Sequence, residues 1–410
     1  MLKIDPALLH QITKRGVANI IVESEFIQRL EEGKPLRLKM GFDPSRPDLH
    51  LGHVVGLRKL RALQELGHQV VLIVGDWTAQ IGDPSGQSDT RTMLSASEVK
   101  ANAETYMRQF FRVIDRERTE AVYQSEWFNE FTLANVIELT SLFTVNQFLH
   151  REDFGRRYEA GQPLAVTELL YPLLQAYDSV KIRADVEFGG NDQLFNLLVG
   201  RELQQKMGQR PQQCFIMPLI PGTDGVRKMS KSLDNHIAIE DPPNAIFGKI
   251  MALPDSVLPL YFEVLTDMPE KELVEVREAV IATGGNLMDL KKRLAGEMVT
   301  EFHSAQAARE AETEFARVVQ HGEAPSDVSE VRVTVATDGV NQISGEKIMI
   351  DAVRFLAGIG LVPSRSEARR LLDQGAVELN GQRIKEQETE VVSGSILKVG
   401  RRRYMRIVRG

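Results

Sequence analysis

The first two hundred residues alternate between short apolar runs and amphipathic helical stretches, and this alternation limits the possible folds most strongly. Leu36–Met40 and Val70–Val74 are apolar runs followed by glycine-containing turns, as is typical of buried parallel strands. Between them, His50–Leu66 places leucines opposite charged residues, which predicts a helix packed on a sheet. Later, Val186–Phe188 and Cys214–Ile220 flank another helical stretch. Because crossovers between parallel strands are right-handed, the sequence predicts an α/β fold with a doubly wound parallel sheet.

The rest of the chain predicts further domains. A helical interlude covers Thr132–Ser179, and beyond Ser232 the strand signal fades into helical segments such as Glu270–Ala282 and Leu287–Val319. His321–Asp327 is rich in turn-forming residues. We therefore expect four parts: an α/β domain over 1–232 with a helical insertion at about 125–180, an α-helical domain over 233–321, a linker over 322–346, and a small α+β domain over 347–410.

The last of these parts shows a short helical and strand pattern of its own. Apolar periodicity predicts two short helices over Lys347–Gly358 and Ser364–Gln374. The Asn380–Gly381 pair predicts a hairpin turn, and strands are expected at Ile396–Val399 and Tyr404–Val408.

The charge of the chain is unevenly distributed. The formal net charge is −7, yet residues 347–410 carry +6, so the remainder carries −13. Such an asymmetry is a hint of a nucleic-acid-binding tail, although a solvated basic surface would look similar.

The single cysteine, Cys214, excludes an intrachain disulfide. Without an apolar run long enough to span a membrane, we expect a cytoplasmic protein with no membrane partner.

A compact motif follows the first predicted strand, where an open α/β sheet binds its ligands. His50 and His53 are three residues apart on the first helical turn, with Gly52 between them, and Ser45 and Asp48 are candidate N-terminal caps. Donors at a helix N-terminus favour an anion. By spacing alone, a capped and solvated helix start is the favoured interpretation, and it is the position of the motif on a strand-to-helix crossover that favours a ligand site. No third ligand is suitably spaced, so we expect no metal site of the protein's own.

Two separated motifs together resemble a known family. His50–His53 resembles the HIGH signature of class I aminoacyl-tRNA synthetases, and the loop 226–232 contains their KMSKS signature letter for letter. The resemblance implies a Rossmann-like catalytic domain that activates an amino acid with ATP, accompanied by Mg²⁺. It further implies that phosphate charge is stabilised by His50, His53, Lys228 and Lys231, and that ATP is bound by Gly52, Ser45, Asp192 and Lys231.

The amino acid is indicated by three polar side chains on one helix. Tyr171, Gln175 and Asp178 lie at i, i+4 and i+7, so they share a face of a helix that is otherwise rich in leucine and alanine. This stretch resembles the tyrosine-binding helix of tyrosyl-tRNA synthetases. The resemblance implies that Asp178 accepts the phenol hydroxyl, while Tyr171 and Gln175 hold the α-amino group.

The same resemblance extends in register from about residue 15 to the C-terminus. It implies further roles: Asp83 at the α-amino group, Asp43 near the amino group or the adenylate, Gln193 at the reacting carboxyl group and Asp192 at the ribose. Two positions depart from the family. Many members have a tyrosine where this chain has Lys39, and some have a lysine at Gln87.

The basic tail resembles the S4-type RNA-binding domain, most specifically in the segment 364–372. Arg365, Arg369 and Arg370 are its candidate RNA contacts, since arginines on a rigid helix suit phosphate recognition. The family then implies tRNA(Tyr) as partner, and a homodimer whose contact lies in the interlude near Phe143–Tyr158. Two alternatives are weighed against this prediction: a tryptophanyl-tRNA synthetase, and a non-catalytic RNA-binding regulator that retains a synthetase fold.

Overall fold

The computed structural model describes residues 4–45, 48–85, 94–282, 286–400 and 403–410. The chain divides into two compact units, Met1–Ala308 and Arg309–Gly410. Within the described ranges, no single helix is long and apolar enough to cross a membrane. The segments Pro243–Met251 and Asp255–Leu265 pass that test only as a pair, by length and composition, and are bent by 102°.

The first unit is built on a central sheet. Among the described residues the sheet has six strands, in the order β1-β6-β5-β2-β3-β4. Their bounds are β1 (Asn19–Ile21), β2 (Arg37–Phe42), β3 (Gln69–Val74), β4 (Thr119–Tyr123), β5 (Val186–Gly190) and β6 (Gln213–Met217). Every pairing is parallel except that of β1 with β6. The chain winds outward in both directions from β2 and β5, which confirms the doubly wound sheet.

Helices cover this sheet and extend beyond it. They are α1 (Pro6–Thr13), α2 (Glu23–Glu31), α3 (Leu51–Glu65), α4 (Thr78–Ile81), α5 (Ala96–Phe110), α6 (Ser125–Phe128), α7 (Leu133–Ser141), α8 (Val145–Leu149), α9 (Glu152–Glu159), α10 (Val166–Ile182), α11 (Leu194–Lys206), α12 (Pro243–Met251), α13 (Leu258–Leu265), α14 (Glu270–Ile281) and α15 (Met288–Phe302). In α3, Leu57, Leu60 and Leu63 are fully buried, as the amphipathic pattern predicts. The interlude before Ser179 is helical, as predicted.

Two strands of this sheet were not predicted from the sequence. β1 has only three residues, and β4 is half-buried along its whole length, so neither shows a long apolar run. β6 is also shorter than the predicted Cys214–Ile220, since it ends at Met217. Pro218 follows, and proline has no N–H to continue the strand ladder.

The second unit begins within α16 (Ala305–Phe315), which continues as one π-helical turn. Its described residues form a five-stranded sheet, β11-β10-β13-β14-β7, and a three-stranded sheet, β12-β9-β8. The strands are β7 (Glu330–Val333), β8 (Val340–Ser344), β9 (Lys347–Asp351), β10 (Val377–Leu379), β11 (Gln382–Arg383), β12 (Glu388–Val392), β13 (Ile396–Val399) and β14 (Arg403–Arg409). With α17 (Ala352–Gly358) and α18 (Arg365–Asp373), they enclose an apolar core that includes Phe355, Leu397 and Ile407. The predicted α+β class is confirmed.

Two expectations for this unit need correction. The expected linker 322–346 contains β7 and β8, and β7 pairs with β14. The first half of the predicted helix Lys347–Gly358 is strand β9; helix α17 starts only after Asp351, whose side chain caps it by accepting the N–H of Arg354. The Asn380–Gly381 hairpin is confirmed by positive φ angles of 48° and 82°. The four-part domain division itself stays a prediction.

Candidate active site

A cleft of about 780 Å³ opens in the first unit, with lining residues that follow β2, β3 and β5. It lies where the strand order reverses, which is the usual ligand site of such a sheet. The structure brings together in this cleft all the catalytic, ATP-binding and tyrosine-binding residues predicted from the sequence: Asp43, Ser45, His50, Gly52, His53, Asp83, Tyr171, Gln175, Asp178, Asp192, Gln193, Lys228 and Lys231.

The two histidines cap the helix on which they lie. His50 is the N-cap of α3, and its Nδ1 accepts the N–H of Gly52 at 3.1 Å. The Nδ1 of His53 accepts the backbone N–H of His50 at 3.1 Å, and the ring centroids are 3.9 Å apart. Ser45 and Asp48 are therefore not the caps that the sequence suggested, since an imidazole nitrogen fills that role. With Nδ1 as acceptor, Nε2 carries the proton of each ring and remains available as a donor.

Both histidines are held in the neutral form. Burial and, to a smaller extent, the Lys231 ammonium lower the pKa of His53 to about 3. Burial, His53 and Lys231 lower the pKa of His50 well below its usual value. Gly52 permits this packing because a Cβ there would lie 2.9 Å from two atoms of the His50 ring. The two histidines thus offer neutral hydrogen-bond donors. Any positive charge in this part of the cleft comes from other residues.

Two lysines of the loop 226–232 supply that charge. Lys228 Nζ lies 2.8 Å from a carboxylate oxygen of Asp192, at the end of β5. Lys231 Nζ lies 3.3 Å from the Tyr106 hydroxyl and 5.1 Å from the centre of its ring. Both ammonium groups therefore face the cleft that the histidines line, which is a suitable arrangement for binding a polyphosphate.

A buried carboxylate with one unpaired oxygen lies at another wall of the cleft. Gln124 Nε2 donates to Asp178 Oδ2 at 2.8 Å, whereas Oδ1 has no hydrogen-bond partner among the residues that the structure describes. Burial raises the pKa of Asp178 to about 7, against the opposing effects of Lys39, Gln124 and the nearby Trp127 indole, whose Nε1 also has no hydrogen-bond partner among the described residues. A buried acceptor without a donor is costly. The site is therefore suited to a ligand that brings a hydroxyl or N–H group.

A second acidic cluster lies between α10 and the end of β2. Tyr171 donates its hydroxyl to Asp43 at 2.8 Å, and Thr78 donates to the other oxygen of Asp43 at 2.7 Å. Gln193 Nε2 donates to Asp83 at 2.6 Å. Two carboxylates beside a tyrosine hydroxyl form a suitable site for an ammonium group.

Gln124, which no sequence motif singles out, completes the cleft. Gln124 donates to Asp178 and accepts from the backbone N–H of Thr78 at 2.9 Å, so it connects the two acidic positions. It follows β4 directly, and a correct prediction of that half-buried strand would have placed it at the ligand-binding edge. Gln87 lies outside the described residues. Among the residues described, no group of three or more His, Cys, Asp or Glu side chains is arranged to hold a metal ion.

The predicted RNA contacts lie in the second unit, on the exposed face of α18. Arg365, Arg369 and Arg370 are exposed, on the side opposite to buried Ala368 and Leu371. Arg365 pairs with Asp338 at 2.9 Å and Arg370 with Glu367 at 2.6 Å. The helix thus presents a row of guanidinium groups to solvent, two of them held by carboxylates.

Sequence comparison identifies two families. The profile described as "tRNA synthetases class I (W and Y)" matches residues 31–320, and that of the "S4 domain" matches residues 353–397. The chain is 56% identical over 400 residues to a tyrosine–tRNA ligase of Dehalococcoides mccartyi, covering 98% of each protein. It is 46% identical to that of Thermotoga maritima over 402 residues, covering 98% of this chain and 97% of the relative.

Solved structures of low sequence identity share the fold. A C-terminally truncated mitochondrial tyrosyl-tRNA synthetase of Aspergillus nidulans superposes with a TM-score of 0.62 at 19% identity, covering 76% of this chain and 94% of that one. The tyrosyl-tRNA synthetase of Archaeoglobus fulgidus, complexed with L-tyrosine, gives 0.60 at 23% identity, covering 74% and 98%.

Proposed function

Because the chain belongs to the tyrosyl-tRNA synthetases of class I, we propose that its cleft activates L-tyrosine with ATP and that the chain transfers the tyrosyl group to tRNA(Tyr). It is a tyrosine–tRNA ligase. One observation in particular supports the assignment of the cleft: the buried Oδ1 of Asp178 lacks a partner among the described residues. Neither alternative, the tryptophanyl enzyme or the regulator, is favoured.

The amino acid is bound between α10 and the ends of the strands. The phenol hydroxyl of tyrosine donates to Asp178 Oδ1. Tyr171, Gln175 and Asp83 surround the α-ammonium, with Asp43 behind the Tyr171 hydroxyl at 2.8 Å. Gln193, held by Asp83, lies beside the reacting carboxylate. In this way the α-ammonium of tyrosine meets hydrogen-bond acceptors, including the Asp83 carboxylate, and its phenol hydroxyl meets the carboxylate of Asp178.

ATP is bound on the other side of the cleft. Asp192 accepts from the ribose, while Gly52 and Ser45 lie along the nucleotide and Mg²⁺ enters with it. A carboxylate oxygen of tyrosine attacks the α-phosphorus, the bond to the β-phosphate oxygen breaks, and pyrophosphate leaves with that electron pair. Neutral His50 and His53 donate hydrogen bonds to the phosphates, and Lys228 and Lys231 neutralise their charge. Positioning and charge stabilisation supply the catalysis, with no covalent enzyme intermediate.

The second step needs the tRNA. A ribose hydroxyl at its 3′ end attacks the tyrosyl carbonyl and releases AMP. Arg365, Arg369 and Arg370 contact the tRNA backbone, and the helical segment 233–321 approaches the anticodon. The exposed position of these arginines supports that assignment.

A homodimer and a cytoplasmic location are part of the proposal. Several large apolar side chains are exposed around α7 to α10: Leu133, Ile137, Val145, Tyr158 and Val166. Large exposed apolar side chains on helices of one region can mark a protein contact. A second copy of the chain packed against α7 to α10 would cover them, and sedimentation equilibrium would then give twice the chain mass.

The two-step reaction is tested by isolating the intermediate. The chain is mixed with labelled tyrosine, ATP, Mg²⁺ and pyrophosphatase, and protein-bound tyrosyl-adenylate is measured by filtration before tRNA is added. We expect bound adenylate that passes to tRNA(Tyr) in a single turnover. Lys231→Ala should slow adenylate formation about 100-fold and leave tyrosine binding by calorimetry unchanged. Tyrosine incorporation that requires tRNA from the first step would contradict the proposal.

A further inference from the structure

A buried ion pair lies beneath the cleft, and the reaction described above does not use it. Lys39 on β2 and Glu187 on β5 are 2.8 Å apart, with side chains 0% and 1% exposed. Placing two charges in the interior is expensive, and packed apolar residues would often be at least as stable. The pair therefore calls for an explanation other than general stability.

Four donors saturate the Glu187 carboxylate. Oε1 accepts from Lys39 and from Gln175 Nε2 at 3.1 Å; Oε2 accepts from Ser179 at 3.2 Å and from Gln212. The Lys39 ammonium also donates to the backbone carbonyl of Gln175 and to the Ser179 hydroxyl, each at 2.7 Å. Lys39 and Glu187 together thus hold both the backbone and the side-chain amide of Gln175.

An ionised carboxylate can only accept hydrogen bonds, so it selects the NH₂ end of a neighbouring amide. The carbonyl Oε1 of Gln175 must then point away from Glu187, and Gln175 lines the tyrosine side of the cleft. We propose that Glu187, with its charge balanced by Lys39, is a positioning residue that fixes the amide of Gln175 with Oε1 toward the α-ammonium of tyrosine. This inference rests on the proposed role of Gln175 in binding that ammonium.

The opposite orientation of the Gln175 amide would weaken binding of the substrate's ammonium group. A flipped Gln175 would direct two N–H groups at a substrate cation, replacing a charge-assisted hydrogen bond by repulsion. Glutamine at position 187 could either donate or accept, so it would no longer enforce one orientation. The loss should be confined to ligands that carry the ammonium group.

Two ligands separate this role from a general structural one. Tyramine carries the phenol and the ammonium, whereas 4-ethylphenol carries the phenol alone. Their dissociation constants are measured by calorimetry with the full chain. Glu187→Gln should weaken tyramine about 10-fold to 100-fold and 4-ethylphenol less than about 2-fold. Glu32→Gln, which alters an exposed pair with Arg210, is the matched control and should change neither.

The same measurement in a Gln175→Ala background tests the coupling. Once Gln175 is absent, Glu187→Gln should cause no further loss of tyramine affinity. Because Glu187→Gln leaves the Lys39 ammonium without a counter-charge, Lys39→Met/Glu187→Gln is measured alongside. This neutral pair should show the same selective loss of tyramine binding.

Three results would overturn the inference: equal loss for the two ligands, no loss of tyramine binding, or a full additional loss in the Gln175→Ala background. If the unaltered chain binds neither tyrosine nor tyramine, the proposed function fails as well. If it binds both and the selective effect is missing, only the positioning role of Glu187 fails.

Discussion

Replacing Asp178 by asparagine should reduce the preference for tyrosine over phenylalanine and leave the use of ATP intact. Asp178 is buried, and Gln124 donates to one of its two side-chain oxygens at 2.8 Å. In the variant, Gln124 would still face the carbonyl oxygen of the amide. The NH₂ group would then occupy the place of Oδ1, so the phenol would meet a neutral donor where it now meets an acceptor that can be charged.

The size of the effect follows from the two substrates. A hydrogen bond to a charged group contributes about 1.5–3 kcal/mol and a neutral one about 0.5–1.5 kcal/mol, so tyrosine should lose about 1–1.5 kcal/mol. Phenylalanine leaves the group unpaired in either protein, and an unpaired amide should cost about 1 kcal/mol less than an unpaired carboxylate. The preference should therefore fall by about 2–2.5 kcal/mol, or about 30-fold to 60-fold.

The assay is tyrosine-dependent and phenylalanine-dependent exchange of pyrophosphate into ATP, compared as kcat/KM. The KM for ATP is an internal control, because Gln124 and Asp178 lie on the amino-acid side of the cleft. Asp267→Asn is the surface control, since the Asp267 side chain is 87% exposed. An unchanged tyrosine-to-phenylalanine ratio in Asp178→Asn would refute the role of Asp178 in recognising the phenol.

Three further predictions concern other parts of the chain. Since burial raises the pKa of Asp178 to about 7, and the ionised form accepts the stronger hydrogen bond from the phenol, the KM for tyrosine should rise as pH falls from 8 to 6 while the phenylalanine KM does not rise; a flat tyrosine profile would contradict this. Arg369→Glu should lower kcat/KM for tRNA charging several-fold and flatten its salt dependence without affecting pyrophosphate exchange, whereas equal loss of both activities would argue for a structural role. Gly339→Ala should lower the melting temperature far more than Gly345→Ala: both glycines have positive φ, but only at Gly339 would a Cβ collide with the backbone of Phe355. Equal effects would show that the collision is relieved at little cost.

The fold could be predicted where apolar patterns are long. β2, β3 and α3 follow from apolar runs and leucine spacing, because burial on one or both faces leaves a clear periodicity. β4 is half-buried throughout and gives no such signal. Without β4, the sequence does not place Gln124 in the cleft, although Gln124 follows this strand and donates to Asp178.

The residues of the site could be predicted from the sequence, but most of their contacts could not. The motifs place His50, His53, Lys228 and Lys231 in one cleft, as the structure has them. No sequence pattern indicates that the histidines cap their own helix, because imidazole is an uncommon N-cap compared with the side chains of Ser and Asp. The partner of Lys39 could not be inferred either, because Glu187 lies 148 residues away in sequence and is brought near only by the pairing of β2 with β5.

The central claim is that this cleft activates tyrosine with ATP. The most direct measurement is pyrophosphate exchange into ATP with the full chain and each of the twenty amino acids in turn, without tRNA. The structure of the Asp178 site predicts strong exchange with tyrosine and far weaker exchange with phenylalanine and tryptophan. Exchange with tryptophan but not with tyrosine, or no exchange with any amino acid, would contradict the account.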